Sequence, residues 1–381
     1  MSSFKVPVTR VREVLPHDNA DRLDIVKVYD WMVVTGKGNF KVGDQVIYIP
    51  VDSILPQELE DFLFPMTAKI KLTKHRVRSI KIRSHISQGM VVKPAELLES
   101  HWGHLGELED EEDIAQDLGI TKYEPPDVEI PRHMQQKKKR AVNPNFPKYT
   151  DIENFKWYDR IFQDGEEVYM SEKIHGTSFR CGWFKNEANT LWKKIKKFFG
   201  LLPEYEFCWG SRQVQIQCKL YHKGYYDEDV YTKMVRQYDL KKKLPKGYAI
   251  YGEIVGDGIQ KGYTYGCGPG EHKLYVYDVM RDGKYLDYEI SDATENDPWP
   301  ATFKEAVEAF DITPVPVLYV GPFKREILEQ HRSGDSTLGG QKVREGLVIK
   351  PIHETTACVG RKVLKAISDE YYMQKDGTDF H

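Results

Sequence analysis

The chain has 381 residues, 40% hydrophobic and 30% charged, with 55 Lys and Arg against 58 Asp and Glu. That length and apolar content suit more than one core, so two domains are expected. The net charge of −3 excludes a uniformly basic nucleic-acid coat, and any polyanion site must be local. Five scattered cysteines, Cys181, Cys208, Cys218, Cys267 and Cys358, form no C-x-x-C pair. This argues against a disulfide framework and a zinc ribbon and favours a reducing compartment. The opening MSSFKVPVTR lacks the apolar run of a signal peptide. No stretch supplies the roughly 18 to 20 apolar residues of a membrane span, so a soluble, cytoplasmic protein is expected.

From Val6 to Pro94 short alternating runs (DIVKVY, WMVVTGKGNF, KVGDQVIYIPV, HRVRSIKIRS, QGMVVKP) are broken by turn residues, the pattern of a small β-barrel. Lys69, Lys71, Arg76, Arg78, Lys81 and Arg83 alternate with Ile70, Leu72, Val77, Ile80 and Ile82. Strands here can bury one face and show cations on the other, either to a phosphate backbone or as edge protection. LPHDNADRLDIVKV followed by KVGDQVIYIPVDSILP resembles OB-fold domains related to tRNA-binding modules, which implies oligonucleotide contact over residues 1–98.

Residues 99–149 change character and are expected to be a linker. They carry an acidic block from Glu107 to Asp113 and a basic block from Lys137 to Arg140. Such blocks form a solvated surface, with a phosphate-contacting basic patch as the sharper alternative. His101 and His104 have no further ligand at metal-site spacing and are expected to be surface histidines.

Residues 150–381 mix strands (EVYMSEKI, YAIYGEIVG, KLYVYDVM, GLVIKPI, KVLKAIS) with helix-like segments (LWKKIKKFFG, ATFKEAVEAF, REILEQHR), an α+β pattern. In LWKKIKKFFG, Trp192, Ile195 and Phe199 recur at helical spacing among lysines. The segment predicts a surface helix packed on its domain, with a nucleic-acid clasp as the functional alternative.

Chemistry concentrates in SEKIHGTSF, where Lys173 ends a predicted strand and His175 and Gly176 follow. A lysine is a nucleophile only after losing its proton, and K-x-H-G alone is a weak signal. Further segments in order supply what nucleotidyl transfer needs. Arg212 in CWGSRQVQI offers a guanidinium to phosphate or ribose. Glu253 in AIYGEIVG and Glu345 in REGLVIKP offer carboxylates to a ribose hydroxyl or a hydrated metal ion. Tyr275 and Tyr277 share a strand face where a ring can stack on a purine, and Lys365 in RKVLKAIS is a late cation.

In this order the segments resemble the covalent nucleotidyltransferase superfamily, and within it the ATP-dependent RNA ligases of the nick-sealing type that carry an N-terminal OB domain. The resemblance spans essentially the whole chain. It implies an OB-fold barrel followed by an adenylyltransferase domain of antiparallel sheets with flanking helices. By position it implies that Lys173 becomes adenylylated, with Glu172, Ile174 and Gly176 around the nucleotide. Arg212 and Glu253 would bind nucleotide, Tyr275 and Tyr277 would sandwich adenine, Glu345 with Glu253 would serve the metal, and Lys365 would meet the α-phosphate. Asp is commoner at the His175 position in DNA ligases and capping enzymes.

Two departures stand out. A second lysine common two places after the first in the last motif is here Ile367, so that contact is expected from Lys362, Lys350 or elsewhere. Only AISDEYYMQKDGTDFH follows the last motif, so no C-terminal nucleic-acid-binding domain is expected, and the OB domain is expected to take that role. The implied cofactors are ATP, with AMP held covalently on Lys173, and Mg²⁺ or Mn²⁺. The implied partners are RNA ends, in nicked duplex RNA or an RNA:DNA hybrid, acted on by a monomer with no membrane partner. A DNA ligase, a GTP-using capping enzyme and a non-catalytic RNA-binding protein are the alternatives. Gly266, Gly268 and Gly270 in YGCGPGEH lie between strands with no helix after them, so they read as a loop near the nucleotide rather than a dinucleotide fold.

Overall fold

A computed structural model describes residues 4–65, 71–100, 102–123, 143–188, 190–216, 229–289, 298–374 and 377–378. Lys69, Ile70, His101, Cys218 and the basic block from Lys137 to Arg140 lie outside the described residues. The chain divides into two compact units. The first comprises Met1–Val128, Ile152–Phe162 and Leu364–His381, and the second Glu129–Asp151 and Gln163–Val363.

In the first unit the expected short strands form. Val8–Arg10, Gln45–Ile49 and Met90–Val92 make one antiparallel sheet, with Gln45–Ile49 central. Glu13–Pro16, Leu23–Val28 and Trp31–Gly36 make an antiparallel meander. Strand alternation turns Val8, Ile47, Ile49 and Val92 into one apolar cluster. The structure departs from the linker expected over 99–149, because Trp102, Leu108, Ile114, Leu118 and Ile120 complete that same cluster. Their spacing among acidic residues conceals a core contribution.

The expected start of the second domain at residue 150 and its end at 381 also differ from the observed units. Glu153–Asn154 pairs in parallel with Leu364–Ile367 inside the first unit. The Trp157 ring lies edge-on to Tyr29, Trp31 and Tyr48, at 5.0, 5.7 and 5.5 Å between centroids. Lys156 Nζ donates to Gln88 and Asp369, and Asn154 donates to the Tyr372 hydroxyl at 2.8 Å. The C-terminal tail is therefore a structural part of this unit.

The cation stripe is only partly realised. Arg76 is buried against Asp52, to which Thr378 also donates, and Arg78 donates to the Gln374 carbonyl. Lys71, Lys81 and Arg83 stay exposed.

The second unit holds antiparallel sheets. Glu167–Lys173 lies between Val317–Pro322 and Gly346–Pro351. Thr177–Lys185 lies between Tyr205–Ser211 and Tyr248–Gly256, and His272–Arg281 extends that sheet. Tyr248–Gly256 is nearly continuous in apolar residues and is buried along almost its whole length, as a central strand covered on both faces should be. The helices Val230–Gln237 and Phe303–Ala309 pack Met234, Val235, Phe303 and Ala306 into the main cluster with Phe179, Ile250, Ile254 and Val276. Thr302 and Glu305 form a reciprocal capping box at the start of Phe303–Ala309.

Within the His272–Arg281 strand Asp278 is buried. Lys350 Nζ donates to it at 2.7 Å, Arg361 contributes two hydrogen bonds, and the Tyr149 hydroxyl donates as well. Burial alone would raise the Asp278 carboxyl, but Arg361 and then Lys350 outweigh it and hold the group below the ordinary carboxylate range. Removing the carboxylate leaves two cations buried around a lost partner. Asp278→Ala is expected to lower the unfolding free energy by about 3–5 kcal/mol in a urea titration. Because the folded carboxyl is the stronger acid, its contribution is present at neutral pH and is lost on acidification below about pH 4. The acid limb of the stability curve should therefore be shallower in Asp278→Asn, and an unchanged limb together with an unchanged urea midpoint would contradict the network's role.

Candidate active site

Lys173 is the last residue of the Glu167–Lys173 strand and stands opposite Gly346 in the register with Gly346–Pro351. That register brings Glu345, the residue before Gly346, to the strand's end. Lys173 Nζ donates to Glu345 Oε1 at 2.6 Å, and His175 Nδ1 is 3.5 Å from Glu345 Oε2. Glu345 is buried, while the Lys173 side chain keeps 12% of its surface.

The segment after Lys173 is fixed by tyrosines. The His175 backbone N–H donates to the Tyr265 hydroxyl at 2.7 Å, and the imidazole lies edge-on to Tyr263. Gln260 donates to the Gly176 carbonyl. A Cβ on Gly176 would lie 2.3 Å from the Ile254 carbonyl oxygen and 2.9 Å from Glu253 Cγ, so only glycine lets the two strands approach here.

Glu253, on Tyr248–Gly256, is drawn into the same place. Burial pushes its carboxyl up to about 8, the Lys173 charge pulls it down, Glu345 pushes it up again, and the Gly176 backbone N–H and Arg212 favour ionisation. Lys173, Glu345, Glu253, Gly176 and Arg212 therefore form one electrostatic unit. The Arg212 guanidinium also donates to Asp151. Tyr275 pairs across from Glu253 in the sheet, and the Tyr277 hydroxyl lies 3.5 Å from Ser178 Oγ. Burial raises the Tyr277 phenol, and the Glu253 charge adds to the effect.

Other expected residues are placed elsewhere. Strand alternation turns Glu172 away from Lys173, and its carboxylate accepts from Ser336 Oγ, Thr337 N and Thr337 Oγ1 at 2.5, 2.9 and 2.7 Å. Arg344 Nε approaches it at 3.7 Å. Its side chain anchors the loop leading to Glu345 and does not face the nucleophile. Ile174 is buried.

Lys350 pairs opposite Tyr169, about 13 Å along the strand from Lys173, and is committed to Asp278 and the Tyr277 carbonyl. Lys362 donates at 2.6 and 2.7 Å to Glu166, which precedes the strand by one residue and lies roughly 23 Å from Lys173 along it. Neither supplies a second cation beside Lys173. Lys365 is buried on Leu364–Ile367, across from Asn154 in the first unit.

Ser336, Thr337, Tyr263 and Gln260 lie outside every motif, and Arg344 and Tyr265 open the REGLVIKP and YGCGPGEH segments without a role of their own there. They became visible only when the loops closed on the strand end, although Tyr265 adjoins the glycine-rich segment expected near the nucleotide.

Two carboxylates sharing a buried setting, one of them reluctant to ionise beside the other, suit a hard divalent cation bound through oxygen. Glu345 and Glu253 are therefore a fitting donor pair. A second group, His17, Asp18 and His85, lies close together in the first unit. There His17 Nδ1 accepts from the Asn19 N–H and Nε2 faces the Ile82 carbonyl, so both ring nitrogens are engaged.

No curated protein matches the sequence. Among solved structures, the Naegleria gruberi RNA ligase with PPi is similar at 21% identity and TM-score 0.67, over 97% of this chain and 98% of that one. An arginine-to-alanine variant of the same ligase with ATP and Mn aligns at 20% identity and TM-score 0.66, over 96% and 97%. A lysine-to-methionine variant with AMP and Mn aligns at 20% identity and TM-score 0.65, over 96% and 97%. At these identities the likeness establishes the fold. An OB-fold domain profile matches residues 5–94. The RNA ligase family profile matches residues 166–367, more than half of the chain, and spans Lys173, Glu253 and Glu345, so the chain belongs to the RNA ligase family.

Proposed function

We propose that the protein is an ATP-dependent ligase that joins RNA 3′-hydroxyl and 5′-phosphate ends, at nicks in duplex RNA or an RNA:DNA hybrid, through AMP carried on Lys173. The observation that carries this reading is the Lys173 amine held at 2.6 Å on Glu345 at the strand's end, with Glu253 and Arg212 in the same field. The ATP, AMP, PPi and Mn held by the Naegleria gruberi ligase support the choice of nucleotide and metal.

In the first step Lys173 Nζ attacks the α-phosphate of ATP, a P–N bond forms, and the bond to pyrophosphate breaks. The ammonium must first give up a proton, and Glu345 Oε1 is the acceptor in contact with it. Arg212 offers positive charge to the phosphates or ribose, and Tyr275 and Tyr277 offer rings to the adenine. Glu345 and Glu253 would hold a divalent cation, which would supply positive charge against the phosphates. AMP then passes to the RNA 5′-phosphate, and the 3′-hydroxyl attacks that activated phosphate and expels AMP. Each step gathers negative charge around one phosphorus, so one set of cations serves all three.

Incubation with α-labelled ATP and Mg²⁺ or Mn²⁺ is expected to leave label on the denatured chain. The label should be lost in Lys173→Ala and on chelation with EDTA. Label from GTP alone would transfer the assignment to capping chemistry, and none from either nucleotide would leave an RNA-binding protein. A sealed nick in duplex RNA by the wild type, with less product from a single-stranded break, completes the test. Gly176→Ala is expected to slow label transfer by about 100-fold, because its methyl group must displace Glu253 or the Ile254 carbonyl. Undiminished transfer in that variant would show that Glu253 need not sit where Gly176 holds it.

A further inference from the structure

The helix Leu191–Phe198, between the strands Thr177–Lys185 and Tyr205–Ser211, is turned the wrong way for a domain's surface helix. Leu191, Trp192, Ile195, Phe198 and Phe199 fall within roughly 120° of its circumference, and Lys193, Lys194, Lys196 and Lys197 occupy the rest. Such a helix ordinarily lays its apolar stripe on the core. Here Lys193 alone of the four lysines turns to the protein, and Lys194, Lys196 and Lys197 stay exposed. Lys193 Nζ donates to Asn186 Oδ1 at 2.7 Å and to Glu206 Oε2 at 3.0 Å, both beside the flanking strands. The apolar side is left in water, with Trp192 73%, Phe198 85% and Phe199 66% exposed. The expectation of a helix packed through Trp192, Ile195 and Phe199 is thereby overturned.

The exposed surface is a convex knob rather than a single stripe. Gly200, at φ +65°, reverses the chain, and Leu201, 70% exposed, adds to the apolar end beside the edge-to-face pair Phe198 and Phe199. Lys194 and Lys196 flank the apolar arc on its two sides and are exposed. Duplex RNA hides its bases and presents phosphates, so it would meet the lysines and leave five large apolar side chains wet. A second copy would bring like-charged lysines together. A deformable apolar layer under an anionic surface satisfies both features at once.

We propose that this helix docks the protein peripherally on an anionic lipid surface, inserting Trp192, Phe198 and Phe199 among the acyl chains while Lys194 and Lys196 meet the headgroups. No helix among the described residues is long and apolar enough to cross a membrane, so the contact is superficial. It also departs from the expectation of no membrane partner. The proposal is independent of the ligase reading, because none of these residues lies among Lys173, Glu253 and Glu345.

The test sediments the full chain with vesicles of phosphatidylcholine alone and with vesicles containing about one third phosphatidylglycerol. The expected result is at least ~10-fold tighter binding to the anionic vesicles, weakened by salt. Phe198→Ser with Phe199→Ser should lose at least ~10-fold of it while melting at the wild-type temperature, as exposed positions should. Lys194→Glu with Lys196→Glu should lose the anionic preference. Absence of binding to both vesicles would overturn the proposal, as would equal binding by the phenylalanine variant. A wild-type dimer that the phenylalanine variant abolishes, with no vesicle binding, would assign the face to a second copy. Weaker binding of that variant to nicked duplex RNA, again with no vesicle binding, would assign it to nucleic acid.

Discussion

The site depends on the register between Glu167–Lys173 and Gly346–Pro351. With Lys173 opposite Gly346, the lysine faces Glu345 and Glu172 faces Ser336 and Thr337. A slip by one residue would exchange these two side chains between the faces of the sheet. Lys173 would then be directed toward the Ser336 and Thr337 loop, and Glu172 toward Glu345, which already shares its surroundings with Glu253. Both faces oppose the slip, one by losing three hydrogen bonds to a buried carboxylate and the other by gathering three carboxylates. The nucleophile is positioned by a two-sided polar constraint, which is stronger than either motif alone.

The cations of the second unit divide into two kinds. Lys350 and Arg361 close around Asp278 and are exhausted there, and burial lowers the affinity of Lys350 for its proton while Asp278 opposes that change. They hold the sheets in place over an enclosed charge and offer nothing to a ligand. Lys173 instead meets Glu345 at the strand's end and keeps part of its surface open. Glu253 is raised toward neutrality by burial and by Glu345. The site therefore contains a carboxyl whose ionised form is disfavoured until added positive charge arrives. That is a different arrangement from the closed Asp278 network and is suited to a group that must bind charge transiently.

The parts of this arrangement legible in the sequence were those whose chemistry is local. Lys173, His175 and Gly176 lie within four positions, Glu253 sits inside an apolar run that reads as a strand, and Glu345 stands immediately before another, GLVIKP. Lys350 and Lys362 look available from their place near a motif, and only the fold brings their partners, Asp278 and Glu166, across from another part of the chain. Strand alternation places Glu172 opposite Lys173, yet only the fold reveals which loop receives it. The expected linker concealed Trp102, Leu108, Ile114, Leu118 and Ile120 within acidic composition, and single apolar residues at irregular spacing carry no periodicity. Residues 152–162 and the C-terminal tail are separated by some two hundred positions, and the pairing of Glu153–Asn154 with Leu364–Ile367 left no local trace.

The Leu191–Phe198 helix follows a different logic, because its sequence supplies the means to form it without a core. Thr190 Oγ1 accepts from the Lys193 N–H at the N-terminus, and Lys196 and Lys197 stand in the last turn where the helix dipole favours positive charge. Lys193 then ties the helix to Asn186 and Glu206 by its polar side. Two turns are marginal in water even when well capped, since nucleation is costly and little packing offsets it. Any surface that covers the apolar arc therefore stabilises the helix in the same event that binds it. Turning the stripe outward gives up the usual stabilisation from core burial and makes the order of the segment depend on its partner.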